Sequence, residues 1–294
     1  MIRIFQMPHP STPTQIRQVE QVLPGRPTHD GAGVKLLRVY SYSPELNLDP
    51  FLMLDEFATD EASDYIGGFP DHPHRGFETV TYMLDGRMLH QDHMGNRGDL
   101  GPGDVQWMTA GRGVIHSEMP QQTEGRMHGF QLWINLPSDE KMSPPAYRDI
   151  PSPTMPVVDL LDGSGTVKVI AGTYSNGLDP VSGPLQGMTT APLMLDVQMG
   201  AHGQFLETIS AGHTAFVYVY EGEAMVGDER ISARHLAVLG AGAQVQVNSL
   251  ESDTRFLVLA AAPIGEPVVQ YGPFVMNTRA EIEQAVQDYQ SGKF

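Results

Sequence analysis

Two pairs of residues in this chain have metal-binding chemistry, and the members of each pair are separated by a single residue. His72 and His74 lie in "FPDHPHRGFETV", and His116 and Glu118 lie in "GVIHSEMP". On a β-strand, residues i and i+2 point to the same face, so each pair would converge on one side of a sheet. If two such strands are neighbours in a small barrel, together they offer three imidazoles and one carboxylate. That donor set suits a borderline divalent metal, and iron(II), manganese, cobalt, nickel, copper and zinc all accept it. On a metal that prefers six ligands it leaves two positions open, as an oxygenase or a Lewis-acid catalyst requires. The chain has no cysteine. Thiolate ligands, disulfides and a cysteine nucleophile are therefore excluded, and any metal must be held by nitrogen and oxygen.

The elements that would position these pairs are mostly strands. Of 294 residues, 31 are glycine and 23 proline, which favours short strands and tight turns over long helices. "ETVTYML" carries strand chemistry and ends at Asp85-Gly86, a hairpin dipeptide; "AFVYVY" ends at Glu221-Gly222 and is followed by "EAMVG". "HGFQLWINLP" and "TRFLVLAAAP" read the same way, and "TQIRQVEQVL" is read as a strand. One helix is predicted in "MNTRAEIEQAVQDYQ". Thr278 and Glu281 make a capping-box pattern there, and Ile282, Ala285, Val286 and Tyr289 form an apolar stripe expected to pack on the outside of a barrel.

The two halves resemble each other. Asp85-Gly86 is followed by the L-G-x-G turn at Leu100–Gly103, and Glu221-Gly222 by another at Leu239–Gly242, at nearly equal intervals. That pattern predicts a duplicated barrel. The Pro-rich stretch from Leu136 to Pro156 reads as the connection. The expected domains are thus 1–136 with the metal site, a linker 137–156, and 157–294 with the terminal helix.

The net charge of −17 and the lack of any Lys/Arg run argue against direct binding to nucleic acid or to an anionic membrane. The amino terminus has no apolar signal core, and no run approaches transmembrane length, so a cytoplasmic protein is expected.

"GFPDHPHRGFETVTYMLDG" and "HMGNRGDLGPGDVQWMTAGRGVIHSE" closely resemble the pirin family of bicupins, as do "HGFQLWINLP" and "GEPVVQYGPFVMNTRAEIEQAVQDYQSGKF". The resemblance implies an all-β bicupin: two stacked antiparallel β-barrels of the jelly-roll type with a C-terminal helix, and one metal, in the first barrel. It implies His72, His74, His116 and Glu118 as ligands of iron(II), with other first-row metals as alternatives. The general cupin pattern puts its carboxylate ligand at Glu78, whereas the pirin pattern moves that role to Glu118. Counting from the turns, the second half places Thr208, Ser210 and Thr214 at the positions of His72, His74 and Glu78. It places Arg255 and Leu257 at those of His116 and Glu118. The second barrel is therefore expected to be structural or interactive.

Remaining candidates carry plainer expectations. Glu78 is read as a carboxylate hydrogen-bonded near the metal, His90 and His93 as exposed or supporting residues, and His128 as a core hydrogen-bonding residue. His9, His29, His202, His213 and His235 are read as surface residues, and Arg75 and Arg112 as shaping turns. Phe69, Phe77 and Met108 are candidates to line an apolar cavity.

The resemblance implies a quercetinase-type dioxygenase that opens a flavonol ring with O2 and releases carbon monoxide, with Glu118 as the general base for the substrate hydroxyl. A flavonol and O2 are then the partners. The alternative is a non-catalytic iron-binding protein that regulates a protein partner, as eukaryotic pirins resemble transcription cofactors. A third option is another metal-dependent cupin chemistry, since the fold alone does not choose.

Overall fold

The computed structural model describes residues 15–175 and 179–294. The chain runs through β1 (Val19–Pro24), β2 (Arg26–Asp30), β3 (Val34–Ser41), β4 (Phe51–Thr59), β5 (Phe69–His74) and β6 (Phe77–Asp85). It continues through β7 (Met88–Asp92), β8 (Arg97–Leu100), β9 (Val105–Thr109), β10 (Val114–Pro120), β11 (Met127–Asn135) and β12 (Ala146–Ile150). The second half begins with β13 (Val157–Asp159), β14 (Gly165–Ala171), β15 (Thr173–Tyr174), β16 (Val181–Ser182), β17 (Leu193–Met199) and β18 (Gln204–Thr208). Next come β19 (Thr214–Glu221), β20 (Glu223–Val226), β21 (Glu229–Ser232), β22 (His235–Leu239), β23 (Gln244–Ser249) and β24 (Thr254–Ala261). A hairpin of β25 (Val269–Tyr271) and β26 (Phe274–Met276) precedes the helix α1 (Arg279–Gln290). Among the described residues, no helix is long and apolar enough to cross a membrane.

The strands make two copies of one design. The first barrel packs the four-stranded sheet β5-β10-β7-β8 against the seven-stranded sheet β12-β9-β6-β11-β4-β3-β2. The second packs β18-β23-β20-β21 against β1-β22-β19-β24-β17-β14-β13. Each seven-stranded sheet is completed by a strand from the flank of the other half. β1 pairs with β22, and β12 pairs with β9.

The seven-stranded sheets stack on each other, and their alternating residues explain why. In β6, Val80 and Tyr82 point into the seam, whereas Thr79 and Thr81 point into the first barrel. The seam core joins Val80, Phe130 and Leu132 to Ile170, Phe216 and Leu257, all nearly inaccessible to solvent. Phe51 and Phe216 meet across it edge to face at 4.9 Å.

Two buried acids cross the seam in matched fashion. Asp196 accepts a hydrogen bond from the Tyr82 hydroxyl at 2.6 Å, and Glu56 accepts one from Tyr218 at 2.5 Å. Glu56 also bonds His128 Nε2 at 2.8 Å, the buried hydrogen-bonding role expected of that histidine.

The capping box of α1 forms as predicted: Thr278 Oγ1 accepts from the Glu281 N–H, and Glu281 accepts from the Thr278 N–H at 2.8 Å. Its apolar stripe packs on the β25–β26 hairpin rather than directly on a barrel, with Ile282 and Ala285 against Phe274 and Met276. The unit is clipped to the first barrel through buried Arg75, which pairs with Asp288 at 2.9 Å and lies 4.3 Å from the Phe294 ring centroid. Arg75 thus does more than shape a turn.

Candidate metal centre

β5 and β10 are neighbours, and their register brings the two sequence pairs together. His72 stands opposite His116, His74 opposite Val114, and Glu118 opposite Phe69 beyond a register shift. The three imidazoles form a compact cluster, with ring centroids 4.4 to 4.8 Å apart. Each offers a ligand nitrogen, and these lie within 4.8 Å of one another.

The hydrogen bonding of the trio is incomplete in a way that fits a metal. His72 Nδ1 bonds the Pro70 carbonyl at 2.8 Å, which leaves Nε2 free to present a lone pair. His116 Nε2 and both ring nitrogens of His74 are buried without a well-formed partner among the described residues. An unsatisfied buried polar group costs about 1–3 kcal/mol, so several in one place call for a ligand. Burial, reinforced by the neighbouring imidazole of His72, holds His74 well below the usual histidine range. The Pro273 carbonyl pulls the other way without forming a well-aligned bond. Burial and then His74 and His72 depress His116 likewise. Neutral imidazoles are the form that binds metal.

Glu118 lines the same cavity as His72 and His74 but is not part of the close cluster. Its carboxyl is held by Thr81 Oγ1 at 2.7 Å and by Gln131 Nε2 at 3.2 Å. Thr81 Oγ1 also lies 2.6 Å from Gln131 Oε1. One hydroxyl proton cannot serve both oxygens. A proton on Glu118 would complete the ring, each group then donating once and accepting once.

The cavity has a volume of about 460 Å³. Phe57, Phe69 and Trp133 supply apolar walls, and Arg38 and Asp55 form a bidentate ion pair on another side, at 2.9 and 2.7 Å. Gln270, Gly272 and Pro273 of the C-terminal hairpin complete its rim.

Other expectations need correction. Phe69 lines the cavity, but Phe77 and Met108 do not. Phe77 instead packs behind the site, 5.1 Å from the His74 ring and 4.4 Å from Trp133, while Met108 packs with Ala110 and Val114. Glu78 faces away from the histidine cluster. It accepts from Thr109 Oγ1 at 2.7 Å and lines a separate cavity of about 400 Å³ beside Trp107 and Leu185, where burial pushes its pKa up to about 7. The reason is local: the turn at Arg75-Gly76, with Gly76 at φ +88°, resets the alternation between β5 and β6. His90 is fully buried against His116, whereas His93 is exposed, as are His29 and His202; His213 and His235 are half-buried. His9 lies outside the described residues.

The register also corrects the comparison of the halves. Asp85-Gly86 and Glu221-Gly222 do occupy matching hairpins, β6–β7 and β19–β20. The L-G-x-G turns do not match, for Gly103 precedes β9 whereas Gly242 follows β22. The partner of Gly242 (φ +151°) is Gly113 (φ +148°), each three residues before the position in question. The ladders then equate His116 with Val245, Glu118 with Val247, His72 with Glu207 and His74 with Ile209. In place of the three imidazoles stand two aliphatic side chains and Glu207, which is bonded to Ser175 at 3.0 Å.

His90 takes the supporting position that the sequence allowed it, against His116, whereas Thr81, Gln131 and Trp133 belong to the site without having been singled out by the sequence. Strand parity in "ETVTYML" could have placed Thr81 inside. Nothing local marks the others.

Comparison with known proteins agrees with this architecture. The Pirin family model matches residues 33–134, and the model of the Pirin C-terminal cupin domain matches residues 194–294. A pirin-like protein of Caulobacter vibrioides is 49% identical, over 95% of this chain and 99% of its own. Human pirin is 43% identical over 91% of this chain and 90% of its own. A crystal structure of a quercetin 2,3-dioxygenase from Acinetobacter baumannii superposes with a TM-score of 0.86 at 35% identity, covering 95% of this chain and 99% of that one. With two cupin domains arranged in this way and relatives of this closeness, the chain belongs to the pirin family.

Proposed function

We propose that the protein is a metal-dependent dioxygenase of the quercetinase type. In this reading His72, His74 and His116 hold one divalent first-row metal, iron(II) by preference, and Glu118 serves as its fourth ligand and as the catalytic carboxylate. The observation that carries the reading is the set of buried, unpartnered nitrogens of His74 and His116 beside an apolar-sided cavity that His72, His74 and Glu118 line. The resemblance to a protein named quercetin 2,3-dioxygenase supports a flavonol as substrate.

A metal held there would supply Lewis acidity for a flavonol hydroxyl and redox partnership with O2. The chain's own residues do the rest. Phe57, Phe69 and Trp133 would hold a flat aromatic substrate between apolar walls. Glu118 would take the hydroxyl proton, and Thr81 with Gln131 would hold the resulting acid in a matched hydrogen-bond ring.

The test is quercetin loss under air with iron(II)-loaded protein, followed by absorbance beside the His116→Ala variant and a parallel metal analysis. Turnover that disappears together with the metal supports the reading. A protein that holds its iron and leaves quercetin untouched would overturn it, and would favour the non-catalytic role in regulating a protein partner.

A further inference from the structure

His90 is a buried group beside the site whose position the proposed chemistry does not use. It lies on β7 next to β10, opposite Glu118 in the ladder, and its side chain is wholly buried. Its Nδ1 is 3.1 Å from the Nδ1 of His116.

We infer that His90 is a positioning residue that sets the tautomer of His116, so that His116 offers its Nε2 lone pair to the metal. This rests on the proposal that His116 is a ligand. Between two facing Nδ1 atoms there is room for one proton, so one imidazole donates and the other accepts. The other nitrogen of His116, Nε2, is buried, has no partner among the described residues, and belongs to the ring packed on His72 and His74. For Nε2 to carry a lone pair, the ring proton must sit on Nδ1. His116 is then the donor and His90 the acceptor, with the proton of His90 on its own Nε2.

The surroundings hold His90 in that role. Its Nε2 lies 3.8 Å from Asp92 Oδ2, too far for a hydrogen bond but close enough for that carboxylate to favour a proton there. Asp92 is itself pinned: its Oδ1 accepts from the Met94 and Asn96 N–H groups at 2.9 Å, and its Oδ2 from Asn96 Nδ2 at 2.7 Å. On its other side the His90 ring packs against Tyr147 of β12, with centroids 4.8 Å apart.

The second barrel supplies an independent check. The ladder position equivalent to His90 is Val226, in the barrel where the equivalent of His116 is Val245. The two histidines occur together in one barrel and are both replaced by valine in the other, which fits a pair that serves a single purpose.

Zinc(II) is the probe, since it binds such ligands without redox complication. Its dissociation constant is measured by chelator competition for the full chain and for His90→Leu, His90→Asn and His116→Ala, each checked for an unchanged thermal transition without metal. His90→Leu removes the acceptor and is expected to weaken zinc binding about 10- to 100-fold. Asn keeps an oxygen near the position of Nδ1, and His90→Asn is expected to recover most of that loss. In metal-free protein, ring 15N shifts are expected to show His116 protonated at Nδ1 and bare at Nε2. A folded His90→Leu protein with unchanged zinc affinity would overturn the inference, as would a His116 proton on Nε2 in the unsubstituted chain. If His90→Leu does not fold, the Asn variant and the 15N spectrum still decide. Unchanged affinity in His116→Ala would instead overturn the ligand assignment itself.

Discussion

The two barrels share strand order, register and hairpins, yet their interiors are chemically opposite. The first encloses three histidines, Glu118, Thr81 and Gln131 around a cavity. In the second, the matching space is filled by Phe205, Val226, Val245, Val247 and Phe256, all essentially inaccessible. The backbone is therefore indifferent to what it encloses, provided the inner face is filled or satisfied. In the second barrel apolar burial keeps the fold together. In the first, polar groups are kept in a low-dielectric interior where each needs a partner or a ligand.

That contrast can be broken or sharpened by substitution. The largest effect is expected from His74→Ala or His116→Ala, which makes the first barrel resemble the second at that position: metal content should fall from one per chain towards zero and turnover should vanish. Full occupancy in either variant, read by elemental analysis, would show that the ligands are elsewhere. Next comes Glu118→Gln, which keeps the size and the contacts of the side chain but cannot take up a proton. The variant should retain metal while kcat for flavonol drops by about 10²- to 10⁴-fold; an unchanged kcat would remove Glu118 from the chemistry.

On the apolar side, Phe205→Ala should destabilise the protein by about 3–5 kcal/mol in urea unfolding through the void it leaves. The folded fraction should keep its metal, and metal loss at native stability would mean that the second barrel supports the site directly. The smallest effect concerns Glu78, whose counterpart in the second barrel is Thr214. Burial raises the Glu78 pKa to about 7, whereas the unfolded chain ionises near the ordinary carboxyl value of 4.5. Between these pH values the unfolded state has lost a proton that the folded state keeps, so stability falls as pH rises through this window. The total is about 3 kcal/mol at most. Glu78→Gln should remove this slope, as measured by unfolding at pH 5 and pH 8, and an identical slope in both proteins would place its origin elsewhere.

The sequence shows the site in proportion to how local each part is. His72 with His74 and His116 with Glu118 are legible because strand parity acts over two residues. The duplication is visible at Asp85-Gly86 and Glu221-Gly222 for a similar reason, since a tight hairpin dictates its own residues. Glu78 misleads because the Gly76 turn intervenes, after which spacing from His74 no longer says which face a side chain occupies. The second pair of turns misleads because a Gly-x-Gly can end any strand; only the ladder reveals Gly113 as the counterpart of Gly242. Gln131, and the choice of His90 over His93 as the supporting histidine, are set by pairing between strands distant in sequence, which leaves no trace in local pattern.

The reciprocal placement of β1 and β12 has a consequence for how the molecule comes into being. The first described strand off the ribosome belongs to a sheet whose partner, β22, is made more than two hundred residues later. The first barrel likewise lacks its edge strand until the chain has passed into β12. Neither half can finish folding alone, and pairing at such separation is slow because the loop must close before the contact rewards it. Halves expressed separately and cut between β11 and β12 would each carry an unpaired edge and a bare apolar face. They would be expected to aggregate apart and to assemble when made together, as two subunits of an obligate dimer do.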